Sequence, residues 1–92
     1  MDEETWTTLD SFVSGFLVTR DFTPTLIPQS GSKKVAFSFP ATPELYRALR
    51  EYNDGATVCA VRFAASVKML KSQIFSMRKS EEERHDDRLT RR

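Results

Sequence analysis

The chain is poor in the residues that usually carry chemistry. Its 92 residues include one cysteine, one histidine, one tryptophan and three glycines. The lone Cys59 excludes an internal disulfide, whereas small secreted domains are commonly stapled by several. Metal centres need clustered Cys, His and carboxylate ligands, but Cys59 and His85 stand far apart in the chain. Gly15, Gly31 and Gly55 are scattered, so no glycine-rich phosphate loop exists. No apolar run approaches the roughly 18 residues of a membrane span. The acidic start Met1-Asp2-Glu3-Glu4 is unlike a secretory signal, which opens basic and then turns apolar. A cytoplasmic protein without a membrane segment is expected.

Length excludes more. Barrels need about 200 residues or more, and a chain of this size builds one small core. Hydrophobic residues make up 39% and charged residues 29%, a globular composition and not a disordered one. Paired carboxylates occur only near the charged ends, where no apolar pocket would shift their pKa. The expectation is a protein that is not an enzyme and uses no metal and no cofactor.

The periodicities read as an α+β domain: a helix, a β-hairpin and two further helices, with a long third helix as spine. Leu9, Phe12, Val13, Phe16 and Leu17 follow the i, i+3, i+4, i+7, i+8 stripe of an amphipathic helix over about 7–19. Thr7 or Thr8 is the expected N-cap, and Gly15 falls off the stripe. Pro24 and Pro28 allow residues 22–29 only an edge strand. After the turn around Gly31, Val35, Phe37 and Phe39 alternate as one face of a half-buried strand. Thr42, Pro43 and Glu44 start a second helix over 43–53, and Gly55 stops it. Ala60, Phe63, Val67, Leu70, Ile74 and Met77 form the seam of a third helix expected over 56–79. Residues 1–79 make the domain. Residues 80–92 are a charged tail of good helix formers whose only strongly apolar residue is Leu89, so helix three either continues there marginally or frays. Cys59, beside Val58 and Val61, reads as a small core residue, and His85 as a solvated one.

The order of these elements resembles a family of short prokaryotic and phage-associated proteins known only as a domain of unknown function. The resemblance rests on Phe16-Leu17, Val35-Ala-Phe-Ser-Phe39, Leu45, Tyr52, Gly55, Val58 and Leu70-Lys71-Ser72-Gln73-Ile74, and covers roughly residues 8–77. It implies no catalytic residues. Its association with mobile elements implies a partner from nucleic-acid metabolism.

Charge is where the sequence points to a partner. The formal net charge is +1. Residues 1–31 hold one basic residue, Arg20, against Asp2, Glu3, Glu4, Asp10 and Asp21, whereas residues 56–77 hold Arg62, Lys68 and Lys71 with no acid. Lys33 and Lys34 crown the hairpin turn. Lys33, Lys34, Arg62, Lys68 and Lys71 are therefore the candidate nucleic-acid contacts, each lysine or arginine able to meet a phosphate. The competing reading of these residues is the solvated face of a long helix, and that of Phe37 and Phe39 is core. Two functions follow: a small accessory binding protein contacting nucleic acid through the hairpin tip and helix three, or a protein–protein interaction module acting through the long C-terminal helix. Val61, Met69 and Phe75 lie off the main seam and a two-stranded hairpin is marginal alone, so a homodimer is also expected, through helix three, an open hairpin edge or both.

Overall fold

The computed structural model describes residues 4–31 and 34–90, with side chains as far as Arg78. Six elements follow one another: β1 (Thr5–Thr8), α1 (Ser11–Thr19), β2 (Thr25–Pro28), β3 (Val35–Pro40), α2 (Pro43–Asn53) and α3 (Ala60–Thr90). The fold is α+β, with the expected hairpin, the expected α2 and the expected long last helix. The sheet has a third strand. β1 and β2 both pair antiparallel with β3, giving the order β1-β3-β2.

β1 displaces the expected start of the first helix. Thr7 and Thr8 are strand residues, and Asp10 caps α1 instead, its Oδ1 accepting from the N–H of Phe12 at 2.8 Å. The Thr-Trp-Thr-Thr run suits a pleated edge better than a helical turn, because β-branched residues lose little freedom there. Register explains the two prolines of the β2 region. The Gln29 N–H donates to the Lys34 carbonyl at 3.0 Å, and Ile27 faces Ala36, Thr25 faces Ser38. Alternation then turns residues 24, 26 and 28 outward, so Pro24 and Pro28 remove N–H groups that the ladder does not use.

All three helices supply the face of the sheet that carries Phe37 and Phe39. These two are fully buried with Phe16 and Leu17 of α1, Leu45 and Ala48 of α2 and Leu70 of α3. Trp6 of β1 and Leu26 of β2 pack against the same cluster. The opposite face presents Thr7, Ser38 and Thr25 in one row and Ala36 with Ile27 in the next.

α1 is enclosed on more than one side. Val13, Ser14, Gly15, Phe16 and Leu17 are all buried, while Leu9 and Phe12 of the expected stripe are 53% and 52% exposed. Gly15 is the point of closest approach to α3: a Cβ there would lie 2.5 Å from Cγ2 of Val67. The buried Ser14 hydroxyl is satisfied by the Asp10 carbonyl at 2.9 Å. α1 and α2 end alike. Phe22 and Asp21 donate to Leu17 and Val18, and Ala56 and Gly55 donate to Glu51 and Tyr52, the paired bonds of a Schellman motif. The left-handed residue is Asp21 in the first (φ 71°) and Gly55 in the second (φ 85°).

α3 begins at Ala60, later than the expected 56, because Ala56 completes the end of α2. Val58 turns into the core and Cys59 turns out. Cys59 is thus exposed and not a core residue; its carbonyl accepts from Phe63 N–H at 2.9 Å at the start of α3. Val67 and Leu70 are buried, Phe63 and Ile74 pack against the core, and Ala60 is exposed. The helix runs on through the charged tail to Thr90, the continuing alternative of the two. At 1.5 Å per residue its 31 residues span about 46 Å.

Candidate nucleic-acid interface

A helix turns about 100° per residue, and that rotation sorts the basic residues of α3. Residues 68, 71, 75 and 78 are spaced three, four and three apart, so Lys68, Lys71, Phe75 and Arg78 share one flank. Arg62 precedes Lys71 by nine residues, or half a turn, and lies on the opposite side. Of the candidate contacts, the structure therefore brings Lys68 and Lys71 together and leaves Arg62 apart. Lys34 stands at the foot of the β2–β3 turn, where its carbonyl closes the hairpin. Lys33 lies outside the described residues.

The flank that holds Lys68 and Lys71 is also aromatic. α1 crosses α3 close enough at Gly15 for Phe12 to reach the same side. The Phe12 ring stacks on Phe63 with centroids 6.5 Å apart and an interplanar angle of 23°. The Lys71 ammonium sits 5.3 Å from the Phe12 centroid, within reach of a cation–π attraction. Phe75, one turn beyond Lys71, is 65% exposed. A row of cation and aromatic groups results, in which an ammonium is held against one ring and followed by another. Phosphate can meet the ammonium groups, and a planar base can lie on an exposed ring. Sequence reasoning assigned Phe12 to the buried stripe and so missed it. The signal for Phe75 was present in its spacing from Lys68 and Lys71.

The other flank of α3 faces β2. Leu26, Met69, Ser72, Gln73, Ser76 and Met77 line an open groove of about 460 Å³. Its apolar atoms come mainly from the leucine and the two methionines. Methionine side chains adapt to partners of different shape.

Among the described residues no group of three or more His, Cys, Asp or Glu could hold a metal ion, and no buried side-chain polar atom lacks a hydrogen-bond partner. No described helix is long and apolar enough to cross a membrane. The side chain of His85 lies outside the described residues. No protein-family model, curated protein or solved structure matches the chain.

Proposed function

We propose that the protein is a small, non-enzymatic accessory binding protein of the cytoplasm that contacts nucleic acid through one flank of α3. The observation that carries this reading is the interleaving of Lys68 and Lys71 with the exposed rings of Phe12 and Phe75. Two further features support it. No acidic residue occurs from 56 to 77, so nothing on that part of the helix repels phosphate. The acidic residues of the chain's first third precede α3 by several elements. Arg62 takes no part in this contact, because the groups of one helix that meet one strand must share one side.

A titration with labelled single- and double-stranded oligonucleotides in low salt tests the reading. Phosphate contacts release counterions, so affinity falls steeply with salt, with a log–log slope of roughly −2 to −3 for about three contacts. K68E/K71E should abolish binding with the fold intact, since both residues are exposed, while R62E should leave binding within about two-fold. Absence of binding at tens of micromolar would end the reading.

The groove between β2 and α3 favours a second reading, a protein–protein interaction module. There the partner would place an apolar side chain between Leu26 and Met69. Such a complex would be largely indifferent to salt and to K68E/K71E, and would be weakened by M69E.

A further inference from the structure

The two edges of the sheet are unlike. β2 and the residue before it turn Pro24, Leu26 and Pro28 outward, and proline has no N–H, so of these three only Leu26 presents one. Prolines at such positions are a common way to keep an edge from pairing. β1 carries no such protection. The Ala41 N–H donates to the Glu4 carbonyl at 2.9 Å, and Trp6 faces Phe39 in the ladder. Alternation of the antiparallel pattern therefore turns the N–H and carbonyl groups of Glu4, Trp6 and Thr8 toward β3 and those of Thr5 and Thr7 away from it. Among the described residues nothing bonds to the outward groups of Thr5 and Thr7, and the strand from Thr5 to Thr8 holds no charge and no proline.

We propose that this edge pairs with the same edge of a second copy, two β1 strands running antiparallel about a two-fold axis to make one continuous six-stranded sheet. The register follows from the outward groups. Thr5 must face Thr7 of the second copy, and Thr7 must face its Thr5. Both outward N–H groups and both outward carbonyls of each chain are then satisfied. The axis passes between the two copies of Trp6, which form a non-hydrogen-bonded pair, the kind in which facing side chains come closest. Trp6 points to the core side, with its ring centroid 6.3 Å from that of Phe39, and is half-buried, so its remaining surface is available to its counterpart. On the other face the threonines pair with threonines, a favourable cross-strand combination. The two Glu4 carboxylates each face Thr8 and not each other. The edge thus complements itself in bonding, in apolar contact and in charge, which is what an isologous interface requires. This proposal stands apart from the nucleic-acid reading and shares no residue with it.

Sedimentation of the full chain across a range of concentrations, with Trp6 emission recorded on the same samples, tests it. Mass should rise toward twice 10.6 kDa, and the emission should shift to shorter wavelength with it, since Trp6 is the only tryptophan. T5E/T7E sets acid against acid at both threonine pairs and should weaken association at least about ten-fold. T5K/T7E sets base against acid in the same register and should keep the dimer. T7P removes one outward N–H, leaves the bonds to β3 in place, and should give a monomer with an unchanged circular dichroism spectrum. A monomer at every concentration up to about 1 mM would overturn the proposal. So would a dimer that T5E/T7E and T7P leave as tight as before.

Discussion

Replacing Gly15 by alanine should destabilise this protein, although the same change in most helices does the opposite. In an open helix interior, Gly→Ala gains about 1 kcal/mol, because glycine has more backbone freedom to lose. Here the added Cβ would lie 2.5 Å from Cγ2 of Val67, with the Val67 backbone N and Cα at 3.4 and 3.5 Å. Carbon atoms at rest sit about 3.5–4 Å apart. Val67 cannot easily swing the methyl aside: it is β-branched, holds one strongly preferred χ1 rotamer in a helix and is buried. The Val67 backbone atoms are at ordinary contact distance, so the clash falls on the Cγ2 methyl, and relieving it shifts α1 against α3. Overpacking of this kind costs about 1–3 kcal/mol. Set against the gain in helix propensity, the net loss is up to about 2 kcal/mol, or a fall in thermal midpoint of up to roughly 16 °C for a domain of this size. Circular dichroism melts measure it, and a second variant identifies the cause. V67A alone should cost about 1.6 kcal/mol for two buried carbons. In the V67A background G15A should be neutral or stabilising, because the offending methyl is gone. If G15A raises the midpoint of the otherwise native chain, the close crossing of α1 and α3 is wrong.

Other perturbations follow from the same packing. Leu70→Ala removes a fully buried side chain from the centre of the core and should cost about 2–5 kcal/mol in urea unfolding; a midpoint within error of a surface variant would contradict its place there. Gly55→Ala forces a Cβ into the left-handed region and should lose about 1–2 kcal/mol. Asp21→Gly, at the equivalent position of α1, should gain up to about 1 kcal/mol, and a loss there would show that Asp21 does more than end the helix. Deleting residues 80–92 should leave the thermal midpoint within about 2 °C, since their only strongly apolar residue is Leu89; a collapse would make the end of α3 part of the folding unit.

Local rules carried much of the fold. α2 was legible to the residue, because Thr42, Pro43 and Gly55 mark its ends by backbone chemistry that hardly depends on tertiary context. β3 was legible as a strand from its alternation. Its burial on both faces was not, because Ala36 and Ser38 are too small to announce a covered position. β1 was hidden, since four residues with one large apolar side chain give no periodicity until β3 supplies a partner. The N-cap was misplaced for the same reason: Thr7 and Thr8 are good caps, and only pairing with β3 removes them from the choice. The end of α1 at Thr19 agrees with the sequence reading, but its cause was illegible, because Asp21 takes the left-handed conformation usually left to glycine. Gly15 reads as a flaw in a helix until α3 lies against it. At the candidate interface, the helical rotation of Lys68, Lys71 and Arg62 could be worked out from their numbers alone. The arrival of Phe12 beneath Lys71 could not, since it depends on how α1 crosses α3.

The central claim is that one flank of α3, with Phe12, is a nucleic-acid contact. Backbone-amide and lysine-side-chain NMR during titration with a short single-stranded oligonucleotide tests it most directly. The account expects the changes to concentrate at Phe12, Lys68, Lys71 and Phe75, with Arg62, the groove residues Leu26 and Met69, and the β1 strand undisturbed. Saturable changes that centre on the groove, on the Arg62 side or on the hairpin turn, or a spectrum unmoved at millimolar oligonucleotide, would contradict it.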